Sequence, residues 1–564
     1  MPLECLRSAS DPGESKTRQA IGRLWRLLRL EGHAIFIVAV YALIAGLFAL
    51  ATPLTAQSLV NTIAFGSLVQ PLVVIAVLLF GMLTAVAGLR LIQTWVVELV
   101  QRRLFVRVVA DLSARLPRVS ASARDQTYQP EMVNRFFDVV TIQKAASGLL
   151  LDGLELMLTA GIGLIVLAFY HPLLLAFDVF LLIALLSITI GLGSGTVRTA
   201  LYESKAKYQV AAWLEELARH PYTFGSRRGG RAAAHRADAL ARAYLDARGD
   251  HFRLYMRQLG GALLLQAVAS AALLGLGGYL VLKGQLTLGQ LVAAELIVTA
   301  VVASIAKFGK HLETFYDLSA AVDKLGQLID LPLEQSEGEP PPRLDGPVGV
   351  ALRNVTLTRR VGGVVLEDID LIVKPGEHLA LVGPGGSGKS TLLDTLWGAR
   401  TPASGQVLCD GRDLAALDKR AWRDRVALLR ETELVEGTIE DNLRLDRPTA
   451  KRDTLELALG AVGLVEVVGR LGGLDTTVTT GGSPLSANER VELLVARALV
   501  ARPRLMLIDG LLDGIEAESR ERLLDALFAP NAPWTVIVAT GNRRVAKRCD
   551  RVMRSRARKL EVQP

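Results

Sequence analysis

Long apolar segments alternate with charged connections through residues 19–331 of this 564-residue chain. Each of six segments is near or above the roughly 20 residues that an apolar helix needs to cross a bilayer. They predict membrane spans at about 34–60, 71–97, 148–170, 172–195, 259–283 and 286–306. Ahead of them, Ile21–Leu30 separates apolar from arginine positions at helical spacing, which is typical of an amphipathic helix on a membrane and also of an ordinary surface helix. We expect the polar residues 1–18 to be disordered.

Positive charge is divided unevenly between the connections. The second-to-third and fourth-to-fifth connections are rich in Lys and Arg, whereas Asn61–Gln70 has no charged residue and the turn between the fifth and sixth spans has only Lys283. Lys and Arg near the ends of spans mark the cytoplasmic side. We therefore expect a multi-pass protein of the cell membrane, the inner membrane of a bacterium, with both termini in the cytoplasm. This topology accounts for the formal net charge of +8, so nucleic-acid binding is not expected.

The two long connections are themselves helical in pattern. Their length predicts helices that continue past the bilayer, turn and return, with a short crosswise helix at each far tip. We place these short helices around Tyr128–Phe137 and around Ala212–Phe224. Such tips are long enough to touch a soluble domain; a pair of free hairpins is the alternative.

Two carboxylates fall at membrane depth, Asp178 in the fourth span and Glu295 in the sixth. An isolated carboxylate in a bilayer costs several kcal/mol unless it faces a partner or a wet cavity, so both are candidates for a substrate path. The alternative is a carboxylate near the interface or neutralised by a neighbour.

The chain changes character after the sixth span. Residues 332–347 include Pro340–Pro342 and indicate a linker, and a soluble domain is predicted over 348–564. Its strands and helices alternate, which favours an α/β domain with a mainly parallel sheet. Cys5, Cys409 and Cys549 are far apart, so neither a disulfide framework nor a cysteine metal site is expected. No signal peptide or peptidase domain is expected ahead of the first span.

A phosphate-binding loop follows the apolar strand His378–Val382 and opens a predicted helix. Its glycines let backbone N–H groups approach nucleotide phosphates at a helix N-terminus. The alternative interpretation is a glycine-rich turn between a strand and a helix that binds no ligand. The predicted ATP-binding residues are Gly383, Pro384, Gly385, Gly386, Ser387, Gly388, Lys389, Ser390 and Thr391. Lys389 is expected at the β- and γ-phosphates, and the Ser390 hydroxyl at Mg²⁺. Asp509, at the end of the strand Leu505–Asp509, is predicted as the second residue on the Mg²⁺ side.

Nearly the whole chain resembles an ABC transporter of the exporter type, with a six-span membrane domain fused to one nucleotide-binding domain. The stretches that carry the resemblance, beside the phosphate loop, are Gly376–Val382, Ser404–Val407, Asp410–Gly411, Gly437–Leu443, Leu485–Ser486 and Ala496–Leu499. The family works as a dimer in which each ATP lies between one chain's phosphate loop and the other chain's signature segment. The resemblance therefore implies ATP and Mg²⁺ as cofactors, a second half-transporter subunit, surrounding lipid and an exported substrate of unknown class.

Several positions depart from the family pattern. The signature segment is Leu485-Ser486-Ala487-Asn488-Glu489, in which two glycines are replaced and an acid is added. Gly510 stands where the family has a catalytic glutamate, Thr540 where it has a switch histidine, and Glu431 where it has a glutamine, so Glu431 is the third predicted Mg²⁺ ligand beside Ser390 and Asp509.

These departures predict a domain that binds Mg·ATP and hydrolyses it slowly or not at all. We expect the hydrolysis-deficient half of a heterodimeric exporter, with a slow homodimer or a non-transporting regulatory ATP-binding membrane protein as alternatives.

Overall fold

The computed structural model describes residues 22–23, 25–26, 29, 31–65, 69–126, 133–192, 194–334, 338–342, 346–358, 363–430, 433–530 and 532–563. The chain forms two compact units. One consists of Met1–Val119 and Thr127–Pro332, and the other of Ser120–Gln126 and Leu333–Pro564.

The first unit is helical throughout its described part. Its α-helices are Gly32–Ala49, Ala51–Phe65, Val69–Arg115, Asp138–Gly148, Leu154–Tyr170, Pro172–Ser187, Thr196–Arg219, Pro221–Phe224, Arg227–Leu282 and Leu288–Ile329. Short 3₁₀ or π segments adjoin several of them, at Leu116–Arg118, Arg135–Phe137, Leu149–Gly153 and Ile188–Leu192.

The predicted spans lie on these helices. Five continuous helical stretches among the described residues are long and apolar enough to cross a membrane: Gly32–Ile63, Gln70–Arg118, Arg135–Tyr170, Pro172–Leu192 and Arg227–Leu282. The sixth predicted span lies on the helix Leu288–Ile329, whose apolar part Leu288–Val301 is shorter. Aliphatic side chains of several of these helices, such as Leu167, Leu273 and Val298, form a common buried core. The chain thus contains the predicted helical membrane domain.

The two tips can be compared only in part with their predicted places. Of the first predicted tip helix, around Tyr128–Phe137, residues 127–132 lie outside the described part, and residues 133–137 are helical. A further short helix, which was not predicted, occupies Ala121–Gln126 and groups with the second unit. In the second connection the crosswise helix is only Pro221–Phe224, because the long helix Thr196–Arg219 continues through the predicted start at Ala212. Pro221 starts the new helix at a position where its missing N–H is not needed.

The position predicted for Arg23 on the polar face of the amphipathic helix was wrong. Of this helix, residues 22–23, 25–26 and 29 are described. Arg23 does not lie on a polar outer face, because its side chain is buried and its guanidinium pairs with Asp323 and Asp330. Trp25, in contrast, is 69% exposed. Arg23 is therefore held at the end of the helix Leu288–Ile329 by two ion pairs.

The second unit is an α/β domain. Its strands are β1 Val350–Thr358, β2 Val364–Val373, β3 His378–Val382, β4 Ser404–Cys409, β5 Arg412–Asp413, β6 Val426–Leu429, β7 Gly437–Thr438, β8 Thr477–Val478, β9 Leu505–Asp509, β10 Thr535–Ala539, β11 Arg551–Arg556 and β12 Lys559–Val562. Its α-helices are Ala121–Gln126, Lys389–Leu396, Lys419–Arg423, Ile439–Arg444, Arg452–Val462, Val465–Leu471, Ala487–Ala501, Ala517–Leu527 and Arg543–Lys547.

Three sheets organise these elements. The main sheet has the order β12-β11-β3-β10-β9-β6, and every pair in it is parallel except β11 with β12. A four-stranded antiparallel sheet has the order β2-β1-β4-β5, and β7 pairs with β8. The central strands are buried on both faces, as in β9 and β10, which explains their continuous apolar runs. Side chains after parallel strands therefore gather at one edge of the sheet.

Candidate nucleotide-binding site

The loop after β3 has the backbone that a phosphate cradle needs. Gly383, Gly386 and Gly388 have φ values of 155°, 77° and 93°, which side-chain-bearing residues rarely adopt. A Cβ on Gly383 would lie 2.9 Å from the Ser555 carbonyl oxygen, and one on Gly388 would lie 2.9 Å from Leu366 Cγ. Gly388 directly precedes the helix Lys389–Leu396, whose first N–H groups face the loop end. Side chains at Gly383 and Gly388 would therefore prevent the loop from adopting this backbone conformation.

Lys389 lies over this loop. Its ammonium donates hydrogen bonds to the carbonyl oxygens of Gly383 at 2.8 Å and Pro384 at 3.0 Å. Burial lowers the pKa of Lys389, and the negative charges of Asp509 and Asp513 partly offset that effect. A nucleotide phosphate brings the countercharge that this partly desolvated ammonium lacks.

Ser390 and Asp509 meet as the sequence predicts. The Ser390 hydroxyl donates to Asp509 Oδ1 at 3.0 Å. β3 and β9 are separated only by β10, so their carboxyl ends place the helix start and the aspartate close together. The third predicted metal ligand, Glu431, lies outside the described residues.

Arg430, which the sequence reasoning did not single out, lies at the same cluster. Its Nε donates to Asp509 Oδ2 at 2.8 Å, its Nη1 lies 2.9 Å from Asp394 Oδ1, and its Nη2 lies 3.4 Å from the Ser390 carbonyl oxygen. Burial alone would lower the pKa of the Arg430 guanidinium, but the two carboxylates outweigh it and raise the pKa. The pairing of β6 with β9 explains the position of Arg430. Leu429 pairs with Ile508, so the next residue, Arg430, lies beside Asp509.

The side chains of this cluster decide whether it can bind Mg²⁺. A hydroxyl and a carboxylate are oxygen ligands that Mg²⁺ accepts, and Ser390 and Asp509 supply them. An arginine has no acceptor atom and carries a permanent positive charge. With its guanidinium against both Asp509 and the Ser390 carbonyl oxygen, the cluster as folded does not fit a metal ion.

The signature segment begins a helix, Ala487–Ala501. Ser486 is its N-cap and accepts from the Glu489 N–H, while the Glu489 carboxylate accepts from the Ser486 N–H at 2.7 Å. This reciprocal pair is a capping box. The acid that departs from the family pattern therefore occupies an N–H group at the helix N-terminus. Ser486 and Ala487 are exposed, Leu485 is buried beneath them, and Asn488 is half-buried.

Gly510 and Thr540 offer no proton acceptor of the kinds that the family uses. Gly510 is exposed with φ of 70° and carries no side chain next to Asp509. Thr540 is buried, its hydroxyl donates to Asp513, and the Gly541 N–H donates to Asp513 at 2.7 Å. The Thr540 side chain therefore fixes the Asp513 carboxylate.

Two family models match the two parts of the chain. Residues 35–209 match the family model of the ABC transporter transmembrane region, and residues 366–511 match the family model of the ABC transporter. The chain belongs to the ABC transporters. It has half-transporter architecture, with one transmembrane region followed by one ATP-binding domain, which confirms the predicted fold class. The match over residues 366–511 implies that the chain binds ATP.

This ABC transporter chain is similar to several curated proteins. Over 297 residues it is 30% identical to the toxin RTX-I translocation ATP-binding protein of Actinobacillus pleuropneumoniae and 29% identical to the exotoxin translocation ATP-binding protein PaxB of Pasteurella aerogenes. It is 30% identical to the alpha-hemolysin translocation ATP-binding protein HlyB of Escherichia coli. Each match covers 52% of this chain and 42% of the relative.

The fold extends over nearly the whole chain. A solved structure of a bacterial Atm1-family ABC exporter with ATP bound has a TM-score of 0.84 and 20% sequence identity, covering 94% of each chain. At this identity the likeness establishes the fold of the ABC transporter.

The two intramembrane carboxylates of the ABC transporter differ in environment. Asp178 is only 3% exposed, and within the described residues neither of its carboxylate oxygens has a hydrogen-bond partner. Glu295 is half-buried, and its Oε2 is buried without a described partner. Asp178 is thus the more costly of the two, although the sequence reasoning favoured Glu295.

Proposed function

We propose that this chain is the hydrolysis-deficient half of a heterodimeric ABC exporter in the bacterial inner membrane, with both termini in the cytoplasm. It binds ATP at Gly383–Thr391 and takes part in nucleotide-driven closure of the two halves, which moves a substrate across the membrane. The observation that carries the proposal is the contrast between a complete phosphate loop and the bare Gly510 beside Asp509.

The loss of hydrolysis follows from general acid–base chemistry. A positioned base contributes on the order of 10²–10⁴ in rate. Gly510 supplies none, and the hydroxyl of Thr540 is bound to Asp513. ATP binding needs neither group, because Lys389 and the loop N–H groups remain.

A route from the nucleotide to the membrane helices begins at Arg430. A cavity of about 660 Å³ in the second unit is lined by Arg430 and Asp394 on the side of the nucleotide site and by Ala121 and Arg124 of the helix Ala121–Gln126. Arg124 also contacts Glu334, which pairs with Arg423 at 2.6 Å. We therefore expect the helix Ala121–Gln126, which shares this cavity with Arg430, to respond to nucleotide binding.

This chain needs a partner because it has a phosphate loop and a signature segment but lacks the catalytic glutamate and the switch histidine. Ser486 and the phosphate loop are the chain's two surfaces for ATP in a family dimer, and Glu489 adds negative charge at the first of them. A partner half that brings its own glutamate and histidine supplies the missing chemistry at the shared interface. The Mg²⁺ ion predicted from the sequence at Ser390 and Asp509 is not part of this proposal, because Arg430 occupies the contact with Asp509.

Reconstitution in liposomes tests the proposal. The chain alone is expected to bind ATP with little turnover, and addition of a competent half-transporter from the same organism is expected to restore ATP-dependent transport. Fast turnover by the chain alone, lost in Lys389→Ala, contradicts the hydrolysis-deficient assignment. ATP binding without transport by the pair favours the regulatory alternative.

A further inference from the structure

We propose that Arg430 takes the place of the divalent cation in this nucleotide site, so that ATP binds with little or no requirement for Mg²⁺. This inference rests on the proposed ATP binding and adds the source of positive charge. It is carried by the cluster of Arg430, Asp509, Asp394 and Ser390.

The guanidinium is held in place from two sides. Asp509 Oδ2 and Asp394 Oδ1 lie 2.8 and 2.9 Å from its Nε and Nη1. The side chains of Asp394 and Asp509 are only 15% and 11% exposed, so their charges are poorly screened by water. Asp394 also pairs with Arg400 at 3.0 Å. Arg430 is therefore an anchored charge and not a free surface arginine.

Each oxygen of Asp509 already accepts a hydrogen bond. Oδ1 accepts from the Ser390 hydroxyl and Oδ2 accepts from Arg430. A metal ion bound to Ser390 would meet the guanidinium within a few ångströms, and like charges at that separation repel strongly in a partly buried site. Mg²⁺ could enter only if Arg430 broke its contacts with both aspartates.

The guanidinium itself can serve a polyphosphate. Arginine presents five N–H donors in a planar fork that matches phosphate oxygens. Three of them are directed to Asp509, Asp394 and the Ser390 carbonyl oxygen, which leaves two without a partner in the described part of the chain. The side chain is 35% exposed, so a ligand can reach it. Together with Lys389 it supplies two positive charges to the phosphates without a metal.

The test is equilibrium binding of a fluorescent trinitrophenyl-ATP to the purified full-length chain, in 5 mM or so of MgCl₂ and separately in excess EDTA. We expect the wild-type dissociation constant to change by less than about threefold between the two conditions. In Arg430→Gln the site gains room for a metal and loses the fixed charge, so EDTA is expected to weaken binding about tenfold or more. Arg430→Lys keeps a charge without the fork and should lie between them.

Arg400→Gln is the matched control, because it removes a guanidinium from the same Asp394 but outside the Ser390–Asp509 contact. It should retain the wild-type indifference to EDTA. Wild-type binding that falls tenfold or more in EDTA overturns the inference, and so does an unchanged EDTA response in Arg430→Gln. That first comparison needs no variant to fold. Absence of binding in both conditions overturns the proposed function as well, whereas binding in MgCl₂ that is strongly weakened in EDTA overturns only this inference.

Discussion

Replacing Gly388 by alanine tests whether the loop backbone is as constrained as the structure indicates. With φ of 93°, an alanine at this position is strained by about 1–2 kcal/mol. Its Cβ would also lie 2.9 Å from Leu366 Cγ, and overpacking of a buried core leucine costs about 1–3 kcal/mol. The free energy of unfolding of the second unit should therefore fall by roughly 2–5 kcal/mol.

Gly385→Ala is the matched change in the same loop. A Cβ on Gly385 meets nothing within 4 Å, and its φ lies outside the strained region. Its free energy of unfolding should stay within about 0.5 kcal/mol of wild type. Thermal unfolding of the nucleotide-free chain in detergent measures both variants, and for a unit of this size the Gly388→Ala loss corresponds to roughly 4–20 °C in Tm. Equal stability of the two variants would refute the reasoning.

Three further changes probe other parts of the account. Ser486→Ala removes the N-cap of the helix Ala487–Ala501 and should lower the free energy of unfolding by about 1 kcal/mol in denaturant titrations, whereas Glu489→Gln keeps the capping box and should change it little. Asp178→Leu removes a buried carboxylate without a described partner and should raise the thermal unfolding temperature; a loss of transport at unchanged stability would instead place Asp178 in the substrate path. Burial lowers the pKa of His378 and Asp550 partly offsets this, so the folded state binds fewer protons than the unfolded state. The stability that neutral His378 contributes is complete above its unfolded pKa of about 6.5 and is lost as pH falls through the lowered folded pKa. His378→Gln should therefore flatten the pH dependence of the free energy of unfolding, measured from unfolding curves at several pH values. A slope equal to that of the wild type would contradict this prediction.

The phosphate loop could be predicted because its chemistry is local. Glycines, a lysine and a hydroxyl between a strand and a helix define Gly383–Thr391 without any long-range contact. Membrane spans are similarly readable, since the bilayer sets the length and polarity of each helix. The contact of Ser390 with Asp509 also followed, because parallel strands bring their carboxyl ends together.

Other features depend on contacts between distant residues. Arg430 acquires its role from the register of β6 against β9, which sets it level with Asp509. Arg23 is buried because Asp323 and Asp330, about three hundred positions away, neutralise it. The short helix Ala121–Gln126 was not predicted; it follows the 3₁₀ segment Leu116–Arg118, where Pro117 ends the long helix Val69–Arg115.

The rate of ATP hydrolysis by the purified chain alone tests the central claim most directly. Phosphate release should be measured at saturating ATP in lipid nanodiscs, beside nucleotide binding in the same preparation and beside Lys389→Ala. We predict measurable ATP binding with turnover below about 0.01 per second, on the order of 100-fold under the slow end of ordinary enzyme rates. Turnover of about 1 per second or faster that disappears in Lys389→Ala would contradict the account.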